Sequence, residues 1–171
     1  MPTSSLAVAP AVLWSVAEVE PASVLDVGAG WGKYAVLLRE YLNVKPSRID
    51  AVEAHAPYVD AHRLRVLYDD VIVGDVVDVA DERLAVYDVV LMVDVIEHID
   101  KARAVDLLDR IPGRVVISTP VEWFDTGPGL PSTEAHVSHW AVDDFVATGR
   151  LEAYSEVERG HIVRLAPREA T

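Results

Sequence analysis

Residues 24–32 read VLDVGAGWG, an apolar run that enters a glycine-rich turn, and residues 31–42 continue it with apolar positions at helical spacing. A continuous apolar run does not alternate as a one-faced strand does, so it reads as a strand covered on both sides. The strand–turn–helix unit then recurs along the chain. Residues 48–53 (RIDAVE) read as a second strand, and 57–67 as a helix with Pro57 in its first turn. Residues 70–75 form a short third strand, followed by a brief helix near 79–84. Residues 87–94 (YDVVLMVD) are the clearest buried strand. Residues 97–111 follow as a helix that Pro112-Gly113 ends. Residues 114–120 (RVVISTP) make a fifth strand, and 141–149 a last helix. Two strands, 151–157 and 161–166, close around Arg159-Gly160. Five β/α alternations and a final strand pair specify an α/β fold with a mostly parallel sheet.

The chain has 171 residues, which corresponds to a single domain spanning 1–171. At that length roughly 70% of the unfolded surface is buried on folding, so no covalent staple is needed. With no cysteine, disulfides and thiolate metal sites are excluded. Acidic side chains number 28 and basic ones 15, a formal charge of −13. That charge opposes binding to nucleic acid or to an anionic membrane, each of which is met by Lys and Arg. No apolar run reaches the about 18 residues of a membrane span. Residues 6–17 are apolar but contain Pro10 and lack a preceding basic segment, so 1–20 reads as an N-terminal amphipathic helix and the location as cytoplasmic. Residues 121–140, broken by Gly127-Pro128-Gly129 and Pro131, read as a loop on the substrate side of the sheet.

Ligands of such sheets sit beyond the carboxyl ends of the strands. Gly28, Gly30 and Gly32 lie there with G-x-G-x-G spacing, unlike the G-x-G-x-x-G of dinucleotide binders and unlike a phosphate-binding loop. Asp26, two residues before the first glycine, repels a pyrophosphate and suits a cation. Glu53, at the end of the second strand, can accept both hydroxyls of a ribose. Two roles are open to Asp75 at the third strand's end: meeting an adenine amino group, or capping the following helix. Together these residues describe a pocket for a positively charged adenosine derivative without phosphate.

VLDVGAGWG, AVEA with Glu53, VGD with Asp75, YDVVLMVDVIEHI and VVISTP, in this order, resemble the class I S-adenosylmethionine-dependent methyltransferases over residues 24–120. The resemblance implies a Rossmann-like methyltransferase fold: seven strands, mostly parallel with one antiparallel, and helices on both faces. It also implies that S-adenosylmethionine is the cofactor. Asp26, Gly28 and Gly30 would line its methionine part, Glu53 its ribose and Asp75 its adenine. Trp31 and Asp94 would border it.

Asp94, Glu97 and His98 follow the fourth strand, and EAHVSHW later adds Glu134, His136 and His139. One reading makes His98, His136 or His139 the base for a hydroxyl or amine acceptor. A second makes Asp94, Glu97, His98 and His136 ligands of Mg or Mn. This constellation is similar to the E-x-x-E-H and later histidine of small-RNA 2′-O-methyltransferases and to some ubiquinone-pathway O-methyltransferases, with Asp94 in the first Glu position. A third reading is structural, with Glu97 favouring a helix N-terminus. The expected activity is methyl transfer to O or N of a small molecule. The alternatives are metal-assisted 2′-O-methylation of RNA and a non-catalytic cofactor-binding partner subunit. A homodimer or a partner could complete the substrate side. Trp123, Phe124 and Trp140 are candidates for closing over a flat or cationic acceptor, and His55 and Tyr34 for edging the cofactor.

Overall fold

The computed structural model describes residues 4–122 and 132–169. Trp123 and Phe124 lie outside the described residues. The strands are β1 (Ser23–Val27), β2 (Arg48–Glu53), β3 (Val71–Val73), β4 (Val89–Val93), β5 (Arg114–Pro120), β6 (Leu151–Val157) and β7 (Gly160–Leu165). They form one sheet in the order β3-β2-β1-β4-β5-β7-β6. The pairs β1–β2, β1–β4, β2–β3 and β4–β5 are parallel, whereas β7 runs antiparallel to both β5 and β6. The seven strands and the single reversed one are those the resemblance implies.

Side-chain alternation explains why β4 is apolar throughout and β1 is apolar apart from Ser23 and Asp26. Leu25, Val27, Val90 and Met92 face one side, with Leu107 and Leu108 of α6 (Lys101–Arg110) and with Trp140 and Phe145. Val24, Val89, Leu91 and Val93 face the other, with Val12 and Val16 of α1 (Ala9–Ala17) and Tyr34 and Leu38 of α2 (Lys33–Tyr41). A strand with both faces covered gains from apolar residues at every position. The N-terminal segment is helical as expected, a 3-10 turn at Leu6–Val8 leading into α1. Among the described residues, no helix is long and apolar enough to cross a membrane.

Three helices differ from the sequence expectation. The span 57–67 is two helices, α3 (Ala56–Ala61) and α4 (Leu64–Leu67), because Arg63 adopts φ 55° between them. The helix near 79–84 contracts to α5 (Asp81–Leu84), behind a 3-10 turn at Val76–Asp78. The helix expected from residue 97 begins at Lys101, and Glu97 and His98 belong to a 3-10 turn, Ile96–His98. Glu97 therefore does not cap a helix. That role falls to Asp100, whose carboxylate accepts from Ala102 N at 3.1 Å and Arg103 N at 3.4 Å. Asp100→Ala should cost about 1 kcal/mol of stability, read by urea denaturation. The last helix, α7, is Val142–Val146.

The chain order turns back at β1, with β2 and β3 to one side and β4 and β5 to the other. The crevice beyond the carboxyl ends of β1 and β4 is the switch point where such sheets bind ligands.

Candidate active site

A cavity of about 320 Å³ occupies that crevice, within the range of small-molecule sites. Asp26, Gly28, Gly30, Glu53, Asp75 and Asp94 line it, and Glu97, His98 and His136 close one end. Among the described residues, six carboxyl side chains and one lysine, Lys33, face this space. Such a lining disfavours a phosphate and accommodates a cation.

The turn after β1 builds the floor. Gly28 N donates to Val52 O at 2.8 Å, which ties the turn to β2. Glu53 is buried, and its two oxygens accept from Gly30 N at 2.9 Å and His55 N at 2.8 Å. The carboxylate is thereby fixed, and each oxygen retains a lone pair for a further donor. Gly28 has φ +70°, and a Cβ on it would stand 2.6 Å from Val95 Cγ2. Gly32 has φ +73°, and its Cβ would stand 2.3 Å from Leu67 Cδ1. The third glycine thus makes room for α4 and does not line the cavity.

Asp26 is 2% exposed and accepts a hydrogen bond from the Tyr68 hydroxyl. Burial pushes its pKa up to about 7, against the lowering effect of that bond. Asp75 lines the cavity, and its Oδ1 accepts from Val77 N at 3.2 Å to cap the 3-10 turn. Asp94 has φ 55°, a left-handed conformation that Asp tolerates better than most residues, and this turns the chain away from the sheet. Its Oδ1 accepts from Ser118 Oγ at 2.8 Å.

At the far end, Glu97, His98 and His136 bring one ligand atom each within 4.8 Å of one another. Asp94 stands outside this trio, so the four-ligand set expected from sequence contracts to three. Glu97 Oε2 accepts from Thr119 Oγ1 at 3.1 Å, while the buried Oε1 has no hydrogen-bond partner among the described residues. Burial, reinforced by the nearby Asp94 charge, pushes the Glu97 pKa up to about 8. The two imidazoles meet edge to face at 4.9 Å. His98 Nδ1 lies 3.1 Å from Ala135 O, and since a carbonyl only accepts, this nitrogen carries a proton. Burial lowers the His136 pKa. The backbone of 137–138 is anchored to this end, since Val137 N and Ser138 N donate to Glu97 O at 2.8 and 3.1 Å.

Two predicted residues lie elsewhere. Trp31 is half exposed and packs against His62, with ring centroids 5.8 Å apart, outside the cavity lining. The positive φ of Gly30 and Gly32 on either side turns it outward. His139 is exposed, its Nε2 3.0 Å from Val121 O, and it too lies outside the lining. Trp140 is fully buried, stacked on Phe145 at 5.2 Å, and so belongs to the core. His55 and Tyr34 both line the cavity.

Other groups at the rim carried no motif. Lys33 Nζ donates to Ser4 O at 2.7 Å and so draws the N-terminal segment against the cavity. The Tyr58 hydroxyl donates to Glu134 Oε1 at 2.9 Å, which ties α3 to the segment after residue 131. Burial and that bond push the Tyr58 pKa up to about 12.

The sequence model of a family described as a methyltransferase domain matches residues 25–113. No curated protein matches the chain significantly. Among solved structures, the methyltransferase domain of bacterial CtHen1-CN is similar at 18% identity and TM-score 0.66, covering 92% of this chain and 96% of that one. PH0226 of Pyrococcus horikoshii OT3 is similar at 15% identity and TM-score 0.68, covering 95% and 88%. The O-methyltransferase NcsB1 of neocarzinostatin biosynthesis, solved with S-adenosylmethionine and 2-hydroxy-5-methyl naphthoic acid, is similar at 20% identity and TM-score 0.64. The alignment with NcsB1 covers 91% of this chain and 50% of that one. At these identities the likeness is one of fold.

Proposed function

This chain belongs to the methyltransferase-domain family, and from that premise we propose that it transfers the methyl group of S-adenosylmethionine to an oxygen or nitrogen of a small molecule. The observation that carries this reading is the carboxylate of Glu53, fixed by the Gly30 and His55 amides at the tip of β2. It is a rigid, doubly accepting group for a ribose diol in a cavity hostile to phosphate. Asp26 faces the donor's ammonium group, and Asp75 the adenine amino group. When bound, S-adenosylmethionine supplies a methyl group on a positively charged sulfur. The chain's own contribution is orientation, exclusion of water and acceptance of the proton. His98 and His136 stand at the end of the cavity where an acceptor proton can be taken. NcsB1, an O-methyltransferase solved with a naphthoic acid, is a precedent for a small aromatic ligand on this fold. The net charge of −13 argues against an RNA acceptor, which requires a basic track.

A second reading is favoured by one observation, the Oε1 of buried Glu97, unpartnered among the described residues, beside the two imidazoles. One carboxylate and two imidazoles are a fitting donor set for a divalent cation. Glu97, His98 and His136 would hold it, and its charge would lower the pKa of a coordinated acceptor hydroxyl.

Calorimetry with S-adenosylhomocysteine tests the donor site, and absence of binding ends the primary reading. Turnover of phenols, amines, acids and RNA ends then separates the acceptor classes. Binding without any acceptor would point to a non-catalytic partner subunit. His136→Ala should lower kcat while the affinity for S-adenosylhomocysteine holds. If a chelator abolishes turnover and Mg²⁺ or Mn²⁺ restores it, the metal reading stands; unaltered turnover in chelator removes it.

A further inference from the structure

Asp26 is almost completely withdrawn from water, an expensive place for a carboxylate that must meet a cation. The hydroxyl that offsets this cost comes from Tyr68, itself 5% exposed and directly after α4. Three features hold it there. Tyr68 N donates to Leu64 O at 2.9 Å, closing α4. Arg39 Nε, on α2, donates to Leu67 O at 3.2 Å. Leu64 and Leu67 pack onto the bare Cα of Gly32, where any side chain would push α4 away. The glycine turn and the tyrosine are therefore parts of one assembly, 36 residues apart in sequence.

We propose that Tyr68 is a positioning residue for the methyl donor: its hydroxyl, donated to Asp26, holds that carboxylate aimed at the donor's ammonium group. This rests on the reading of Asp26 given under Proposed function. Other ionisable groups face Asp26. Glu53 on β2 opposes its ionisation, and Lys33 on α2 favours it. The Tyr34 hydroxyl on α2 is kept neutral by burial. Lys33 is already engaged with Ser4 O, so Tyr68 is the direct partner of the carboxylate. Tyr68 is raised well above the ordinary tyrosine range by burial and by Asp26, so it remains a donor at every working pH.

The test is calorimetric titration of wild type and Tyr68→Phe with three ligands between pH 5.5 and 8.5. S-adenosylmethionine and S-adenosylhomocysteine carry the ammonium group, and 5′-methylthioadenosine lacks it. Loss of one hydrogen bond to a charged group should weaken the first two about tenfold at pH 7. It should also move the midpoint of their pH dependence upward and leave methylthioadenosine within about twofold. Asp26→Asn should remove the difference in midpoint between the two backgrounds, because the group that Tyr68 acts on is then absent. Equal weakening of all three ligands with an unmoved midpoint would mean only a packing role and overturn the proposal. If wild type binds none of the three, the donor assignment itself fails, a result that needs no variant. Should Tyr68→Phe not fold, protein made with 3-fluorotyrosine, a stronger donor, replaces it. Its midpoint should move downward, and an unmoved midpoint overturns the proposal.

Discussion

Glu53→Ala should weaken binding of S-adenosylhomocysteine by about a hundredfold to ten-thousandfold. Two ribose hydroxyls donating to a carboxylate contribute about 1.5–3 kcal/mol each, and each 1.4 kcal/mol is a factor of ten in affinity. The alanine also strips the Gly30 and His55 amides of their acceptor, so the turn keeps only its backbone tie from Gly28 N to Val52 O. Glu53→Gln separates the two effects. It keeps one acceptor oxygen and most of the shape, so it should fall between wild type and alanine. Calorimetry reads the affinities, and amide hydrogen exchange at Gly30 reads the turn. An affinity within about threefold of wild type in Glu53→Ala would remove the ribose assignment.

The second large effect concerns Asp26 and reverses sign between stability and binding. Its pKa rises from 3.8 in the unfolded chain to about 7 in the folded one. Below pH 4 both forms are protonated, and Asp26 imposes no penalty. Between pH 4 and pH 7 the unfolded chain loses this proton while the folded one keeps it, so folding stability falls as pH rises. Above pH 7 the penalty is complete, about 4 kcal/mol at 1.36 kcal/mol per unit. Asp26→Asn should therefore stabilise the ligand-free protein by up to about 4 kcal/mol at pH 8 and hardly at all at pH 4, by urea denaturation. The same variant should lose affinity for S-adenosylhomocysteine, because a neutral amide offers the ammonium group no charge. A ligand-free variant no more stable than wild type at pH 8 would contradict this account. The pairing is physically reasonable: a charge buried for a ligand is a strain on the protein without it.

The cavity residues visible in the sequence share one property. Asp26, Glu53, Asp75 and Asp94 are acids at or near the carboxyl ends of apolar strand runs, the edge at which such sheets bind ligands. The β/α alternation, which makes these strands parallel, puts all four at the same edge of the sheet. Tyr68 and Lys33 gave no such signal. Tyr68 reads as an unremarkable aromatic between two short elements, and its role exists only because α4 packs on Gly32. Lys33 matters through Ser4, a contact between segments 29 residues apart. Trp31 failed as a cavity residue for the complementary reason. Adjacency to the glycine turn put it near the site in sequence, but the left-handed backbone of that turn aims it at His62.

The histidines divide in the same way. His136 and His139 are three residues apart in one segment, and sequence offered both as bases. The backbone bonds of Val137 and Ser138 to Glu97 O fix the direction of the segment. His136 then meets His98 and Glu97, while His139 turns to Val121 O.

The sequence alone determined the α/β layering and the strand ends at which the cavity's acids stand, because apolar periodicity and glycine placement are local signals. Tertiary structure alone decided which of those groups share a cavity, which carry a buried charge and which tyrosine supports it. Burial and long-range hydrogen bonds belong to the packed chain, and no local window of sequence contains them.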